Sequence, residues 1–189
     1  SLTSFQGGSA NNSFIRVSTV GSNNTGDLRQ GKRLDGNVDN NDSGNHEQYI
    51  TVVGDGNTVN TSQVNSNGAN SDHHMAHIIT GDSNTLSHEQ FANNKKQGYI
   101  EITGDSNTVS LQQRNGANHL ADINLTGDDH TVTGTQWGQG GAHNFTVDLT
   151  NSGGAYNMST TQTSNTAQTY SLTGSCATVG GCAVSVFQN

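Results

Sequence analysis

The stretch YIEITGDSNTVSLQQ, residues 99–113, holds one complete unit of the pattern that decides the fold. Ile100 and Ile102 alternate with polar residues before GDSN, and Val109 and Leu111 do so after it. Apolar residues at every second position are typical of a β-strand with one buried face. Gly, Asp, Ser and Asn are common in turns because they adopt unusual backbone angles or bond to the backbone locally. The stretch therefore predicts two short strands joined by a tight turn.

The same unit recurs along the chain. Clear copies are GDGNTVNTSQ at 54–63, GDSNTLSHEQ at 81–90 and GDDHTVTGTQ at 127–136. A glutamine stands nine residues after a glycine in the pairs Gly21/Gln30, Gly54/Gln63, Gly81/Gln90, Gly104/Gln113, Gly127/Gln136 and Gly153/Gln162. A longer unit connects Gly174 with Gln188. Self-similarity of this kind predicts a repeat architecture.

Two strands per unit cannot bury their apolar faces alone, so the units are expected to stack and to pair each strand with its equivalents. The predicted fold is therefore all-β, a β-solenoid of about seven stacked two-strand β-arch rungs. Residues 1–13 would form an N-terminal partial rung and residues 14–189 the repeat solenoid, with a polar loop insertion at 31–46. A β-sandwich is the rival fold, and it would need less regular repeats and more apolar core.

Composition limits the classes of partner. Hydrophobic residues make up only 29% of the chain, and proline is absent, which suits a thin core between nearly continuous paired strands. The formal net charge of −8 argues against a nucleic-acid partner, because phosphate binding needs clustered Lys and Arg. No long apolar run is present, so no membrane span is expected. The chain starts at Ser1 rather than Met, as expected of a processed product.

Stacking would place equivalent residues of the units in columns. A lone buried glutamine is costly, whereas stacked glutamines at about 4.8 Å can bond to one another. The predicted glutamine column is Gln30, Gln63, Gln90, Gln113, Gln136, Gln162 and Gln188. The predicted asparagine column is Asn24, Asn57, Asn84 and Asn107. The predicted turn glycines are Gly21, Gly54, Gly81, Gly104, Gly127 and Gly174.

Few residues suggest site chemistry. Cys176 and Cys182 are predicted to form a local disulfide, with free thiols as the alternative. The turn carboxylates would stack, so calcium could bridge the rungs, but solvated Asx turns are the favoured interpretation; these weak metal candidates are Asp55, Asp82, Asp105 and Asp128. No cofactor is expected, and no catalytic trio has convincing context, so the chain is not expected to be an enzyme.

Histidines are concentrated in one segment. His73, Met75 and His77 would share a face on a strand and could bind a transition metal, but a polar loop over 72–77 is the expected structure. The remaining histidines considered are expected to face solvent; they are His88, His119, His130 and His143. Trp137 is expected to pack on a turn.

The spacing Gly-x-x-Asn-x-(Ala/Val)-x-x-x-Gln resembles the curlin repeat, the unit of curli-type functional amyloid subunits. It is carried by Gly54-Asn57-Val59-Gln63, Gly81-Asn84-Leu86-Gln90 and Gly104-Asn107-Val109-Gln113. The resemblance covers the chain from about residue 14 to its end, and with six motifs in phase it is fairly specific. It implies a Gram-negative bacterium, outer-membrane secretion and nucleation partners, and an extracellular, cell-surface fibre of a biofilm matrix.

The two ends of the chain read alike. Ser4-Phe5-Gln6 and Val186-Phe187-Gln188 are near equivalents, so each copy is expected to join the next head to tail as a self-assembling fibre. The alternative function is a soluble solenoid binding module of ice-binding or adhesin type. Its signature would be outward threonine columns, for which the candidates are Thr80, Thr103, Thr126, Thr150 and Thr173, and Thr58, Thr85, Thr108 and Thr131.

Overall fold

Strands are the only regular secondary structure in the part of the chain that the computed structural model describes. That part comprises residues 2–6, 13–21, 23–30, 46–63, 73–81, 83–90, 96–104, 106–114, 118–127, 129–137, 143–150, 156–163, 168–174 and 182–188. The strands are β1 (Leu2–Gln6), β2 (Ser13–Val20), β3 (Thr25–Gln30), β4 (His46–Val53), β5 (Thr58–Gln63), β6 (His73–Thr80), β7 (Thr85–Gln90), β8 (Lys96–Thr103), β9 (Thr108–Arg114), β10 (His119–Thr126), β11 (Thr131–Trp137), β12 (His143–Thr150), β13 (Asn157–Thr163), β14 (Gln168–Gly174) and β15 (Ala183–Gln188).

The strands form two parallel sheets. Odd-numbered strands form an eight-stranded sheet in the order β1-β3-β5-β7-β9-β11-β13-β15, and even-numbered strands form a seven-stranded sheet in the order β2 to β14. Each strand therefore pairs with its equivalents one repeat earlier and later, while the next strand in the chain crosses to the other sheet. This arrangement confirms the predicted all-β fold and the parallel β-solenoid.

About five turns of the solenoid are complete, fewer than the seven rungs predicted from the sequence. Both strands have neighbours on both sides only in the turns from β4–β5 to β12–β13. β2 and β14 are the edge strands of the seven-stranded sheet, so the turns β2–β3 and β14–β15 are incomplete. All residues of β15 are exposed. A repeat buries its apolar face only against neighbours, so the number of sequence units overestimates the number of complete turns.

The core is a thin strip between the inner faces of the two sheets. Alternate residues of each strand face inward, and the burial pattern of β10, BiBeBeBe, shows this period of two. On the seven-stranded sheet, Ile100, Ile123 and Val147 follow one another in register. On the eight-stranded sheet, Leu86, Val109, Val132 and Met158 do the same. These side chains are nearly or fully buried, as the alternation predicts.

Large and small inward residues complement each other across the core. Gly134 of β11 faces Phe145 of β12, and a Cβ on this glycine would overlap the phenyl ring. Gly98 of β8 likewise faces the ring of His88, at which a Cβ would lie 3.1 Å from the imidazole. In both contacts an odd-numbered strand meets the first strand of the following turn. The strands therefore climb the solenoid as a staircase, with each sheet offset from the other.

Some boundaries differ from the predicted ones. Ser13 and His46, the last residues of the predicted partial rung 1–13 and of the predicted loop 31–46, are the first residues of strands β2 and β4. Gly174 is not a turn glycine, because it ends β14 and pairs in register with the inward Leu149. The repeat unit that contains β14 has fewer residues between the start of its strand and its glycine than the neighbouring units have. The predicted turn position therefore falls within the strand. Residues 31–45 and Gly153 lie outside the described residues.

Candidate functional site

The tight turns carry two columns, one of glycine and one of asparagine. Asn84 Nδ2 donates a hydrogen bond to the carbonyl of Gly81 at 2.6 Å, and Asn107 Nδ2 donates to that of Gly104 at 2.7 Å. The side chains of Asn24 and Asn57 donate equivalently to Gly21 and Gly54. The Oδ1 atom of Asn107 also accepts from the backbone N–H of Asn84 at 3.2 Å. Each asparagine therefore closes its own turn, and some also connect two turns.

The turn glycines stack directly on one another. The N–H of Gly81 donates to the carbonyl of Thr103 at 2.9 Å, which continues the sheet ladder into the turn. Gly104 has φ +137°, a region that L side chains rarely adopt, and a Cβ there would overlap the backbone of Gly81. The column thus needs glycine for its backbone angle and for the close approach of successive turns.

The glutamines form a column at the opposite end of the strands. The register places Gln6, Gln30, Gln63, Gln90, Gln113, Gln136, Gln162 and Gln188 side by side. The side chains from Gln30 to Gln162 are completely buried. Each donates to a backbone carbonyl of the following turn, so the column fastens one sheet to the other. The acceptors are Glu47 (2.9 Å), His74 (3.0 Å), Gln97 (2.7 Å), Leu120 (2.9 Å), Asn144 (3.0 Å) and Thr169 (3.3 Å).

A second set of bonds runs along the glutamine column itself. Gln136 Nε2 donates to Gln113 Oε1 at 2.9 Å, Gln162 Nε2 to Gln136 Oε1 at 3.1 Å, and Gln188 Nε2 to Gln162 Oε1 at 3.0 Å. The same ladder does not extend to Gln90, because its buried Oε1 has no hydrogen-bond partner among the described residues. The amide ladder therefore occupies the last turns and ends at the exposed strand β15.

A buried column of basic side chains was not anticipated from the sequence. It lies at the inward-facing first positions of the even-numbered strands and comprises His46, His73, Lys96, His119 and His143. The rings of His46 and His73 stack with centroids 5.3 Å apart, and those of His119 and His143 stack at 4.7 Å. Lys96 between them is completely buried. The two pairs of stacked rings pack in the core beside the glutamine column.

The expectation that four histidines face solvent is wrong. His88, His119, His130 and His143 are all at most 2% exposed. The period of two accounts for their burial, because His88, for example, lies two residues after the inward Leu86 on β7. His130 replaces asparagine in the turn column, and its ring stacks on Tyr156 at 6.5 Å.

The histidine segment 73–77 is a strand rather than a polar loop. His73, Met75 and His77 share the inward face of β6, as a strand requires, whereas Asp72 lies outside the described residues. His77 Nε2 and His88 Nδ1 are 3.1 Å apart, and their rings meet edge to face. The imidazoles thus bond to each other across the core. No three His, Cys, Asp or Glu side chains converge as a metal site within the described segments.

Burial changes the protonation of these groups. Desolvation lowers the pKa of His77 to about 3, and burial together with the nearby His77 holds the pKa of His88 well below its ordinary value. Burial also lowers the pKa of Lys96 to about 7. The pKa of His119 falls to about 3 because of burial and, secondarily, repulsion from Lys96 and His143. The interior therefore favours neutral imidazoles.

The other candidate residues do not come together as a site in the described part of the chain. Asp55 is exposed, and Asp82, Asp105 and Asp128 lie outside the described residues. Cys182 is disulfide-bonded. The only other cysteine of the chain, Cys176, lies outside the described residues. The Trp137 side chain is 53% exposed, and the residues that follow it, 138–142, lie outside the described residues.

The threonine columns lie on two different faces. Thr80, Thr103 and Thr126 are exposed at the ends of even-numbered strands. Thr85 and Thr108 are exposed at the starts of odd-numbered strands. Because the two strand sets belong to opposite sheets, the columns do not form one flat array of the kind an ice-binding surface needs. Thr173 moreover aligns with Asp148 rather than with Thr150.

The end of the solenoid at β14 and β15 is apolar and open. Val184, Val186 and Phe187 of β15 are 45%, 40% and 55% exposed. Tyr170 and Leu172, the inward residues of β14, are only half-buried against the core. Within the described residues both strands lack a neighbour on their outer side. Edge strands of this kind offer unpaired N–H and C=O groups to another strand.

Comparison with known proteins gives no relative: no family model matches the chain, and no curated protein or solved structure does so. No helix with the length and apolar character required to cross a membrane occurs in the described part of the chain.

Proposed function

We propose that this protein is a structural subunit that self-assembles end to end into an extracellular, amyloid-like fibre at the cell surface. The observation that carries the proposal is the apolar end formed by β14 and β15, where, within the described residues, both strands lack an outer neighbour and the glutamine ladder ends at the exposed Gln188. Unpaired strand edges and exposed apolar side chains at one end favour the addition of another copy. The resemblance to curlin repeats supports the same function.

The resemblance also supports a setting for the fibre. It implies export through the outer membrane of a Gram-negative bacterium, with secretion and nucleation partners, and a role in biofilm matrix, adhesion or surface anchoring. The disulfide at Cys182 agrees with an oxidising compartment. The acidic composition and the scattered basic residues agree with the absence of a nucleic-acid partner.

Electron microscopy tests the proposal directly. Purified protein at high concentration is expected to form unbranched filaments over days, with an X-ray reflection near 4.8 Å along the fibre axis, the spacing of stacked strands. Val186→Lys places a charge on the inward side of β15 and should slow assembly strongly. Ser185→Lys, on the outward side of the same strand, is the matched control and should assemble faster than Val186→Lys. A protein that stays monomeric under these conditions would overturn the proposal.

A further inference from the structure

The two ends of the solenoid terminate in the same sheet. The described residues form fifteen strands, of which β1 and β15 both belong to the eight-stranded sheet, whereas β2 and β14 are the edges of the seven-stranded one. Each end therefore presents one outermost strand of the larger sheet and, one step behind it, an edge strand of the smaller sheet. This odd count restricts how two copies can be joined.

The offset between the sheets defines the step at each end. Gln63 of β5 bonds to His74 of β6, and Thr61 of β5 donates to the Met75 sulfur at 3.6 Å, so each odd-numbered strand contacts the first strand of the following turn. Successive strands consequently advance by about half of the 4.8 Å spacing, on alternating sides of the core. After β15, the next position on the staircase belongs to the seven-stranded sheet.

Head-to-tail stacking of the fifteen described strands leaves that position empty. If β15 of one copy paired with β1 of the next, the larger sheet would continue, as the register of Gln6 and Gln188 in one column allows. The smaller sheet, however, would pass from β14 to β2 of the next copy with a gap of one strand between them. The core of both copies would be open at that gap, and two rows of backbone groups would remain unpaired.

We propose instead that two copies join through their β14–β15 ends, related by a two-fold axis that runs parallel to the strands. This rotation exchanges the two sheets, so β15 of one copy occupies the empty position beside β14 of the other, and the reverse. Both sheets then continue across the junction without a gap. The pairing of β15 with β14 is antiparallel, a hydrogen-bond pattern at least as favourable as the parallel one. The interface is isologous, the commonest kind in soluble oligomers.

The side chains at this end fit the junction. The rotation keeps inward faces inward and places Val184 opposite Leu172 of the second copy and Val186 opposite Tyr170 of the second copy. All four are apolar or aromatic residues that one copy leaves exposed or half-buried. Phe187, on the outward side of β15, would lie on the surface of the continued sheet.

This inference deepens the proposed function and rests on it, because it specifies the orientation of neighbouring copies in the fibre. The end at β1 and β2 has the same step and can form a second two-fold junction. Alternation of the two junctions gives a fibre that continues without closing, and such a fibre has no polarity. Its first intermediate is a dimer with its β1 ends outward.

Cysteine cross-linking of the full chain distinguishes the two orientations. Ser171 and Ser185 lie on opposite outer faces of one copy, on sheets about 10 Å apart, which is too far for a disulfide within one chain. In the two-fold junction, Ser185 lies directly opposite Ser171 of the second copy. Ser171→Cys/Ser185→Cys should therefore give a covalent dimer on mild oxidation, seen on a non-reducing gel, and either single variant should not.

The head-to-tail orientation has its own matched variant. Thr3 occupies the register position of Ser185, so Thr3→Cys/Ser185→Cys would give a ladder of covalent oligomers if β15 paired with β1. Such a ladder, or filaments without a Ser171→Cys/Ser185→Cys dimer, would overturn the two-fold junction while leaving the fibre intact. A chain that forms neither filaments nor cross-links would instead overturn the proposed function, and the junction with it.

Discussion

At the scale of single residues, the buried glutamines are tolerable because each has a copy above and below it. Gln136 illustrates this, since its amide donates both to Gln113 Oε1 and to the backbone carbonyl of Asn144, while its own Oε1 accepts from Gln162. A single buried glutamine would leave some of these groups without partners. Stacking converts a costly residue into one that connects turns and sheets.

Gln136→Leu tests this account of the glutamine column. The change removes three hydrogen bonds and leaves Gln162 Nε2 and the Asn144 carbonyl with fewer partners. The free energy of unfolding should therefore fall by about 2–4 kcal/mol. Chemical denaturation followed by circular dichroism measures the difference. Gln112→Leu, on the half-buried outward side of β9, is the control and should change stability by less than about 1 kcal/mol. Equal losses in the two variants would contradict the role of the column.

The hydrogen-bonded pair of His77 and His88 makes stability depend on pH. Their pKa values are lowered in the folded protein, so below the ordinary histidine pKa of about 6.5 the unfolded chain binds protons that the folded one does not. The stability that this pair contributes is therefore complete above pH 6.5 and decreases as the pH falls from there toward about 3. Each histidine contributes a loss of up to about 1.4 kcal/mol per pH unit in this window.

Thermal melting between pH 7 and pH 5 measures this effect. The control variant is His77→Ile/His88→Leu, which substitutes the residues that adjacent turns carry at these register positions, Ile100 and Leu111. It should lose less stability on acidification than the unmodified protein. Some loss should remain, because the pKa values of His119 and His143 are also lowered. A pH slope unchanged by the double substitution would show that the pair does not titrate as described.

At the scale of the elements, the tight turn requires glycine for two separable reasons. Gly104 and Gly21 both have positive φ, but a Cβ on Gly104 would overlap the Gly81 backbone, whereas a Cβ on Gly21 meets nothing within 4 Å. Gly104→Ala should therefore destabilise by clearly more than Gly21→Ala, which carries only the backbone cost of about 1–2 kcal/mol. The denaturant midpoints of the two variants compare their stabilities. Equal losses of stability would contradict the claim that the close stacking of the turns requires glycine.

The strands and tight turns could be predicted from the sequence because their signals are local. Alternation around GDSN defines both strands, and the regular distance to the glutamine fixes their register. The inward histidines are not evident from polarity alone, because His88 has the same parity along β7 as Leu86 and the period of two decides its burial. Lys96 and His46 lie before the visible apolar alternation, at strand starts that only pairing with neighbouring strands defines. Gly174 lies in a strand rather than in a turn because the last repeat unit differs in length from the others.

At the scale of the whole molecule, the number of complete turns depends on neighbours that a sequence does not display. The repeat motif is present near both ends, yet burial is complete only where strands lie on both sides. In a solenoid of this kind stability is close to a sum over turns and their interfaces, so the outer turns are the weakest. The same open end that lowers the stability of one copy is the surface that a second copy would cover.

Hydrogen exchange should reveal this gradient and its change on assembly. In the monomer, amides of the five complete turns should be the most protected, and peptides covering β14 and β15 should exchange fastest, because their outer groups are open to water. After assembly, β14 and β15 should both gain protection in a two-fold junction, whereas head-to-tail stacking would protect β15 and leave β14 exposed. Mass spectrometry of peptides spanning 168–174 and 183–188 separates these results. Val186→Lys should keep the monomer pattern at the same protein concentration, since the added charge opposes burial of the end.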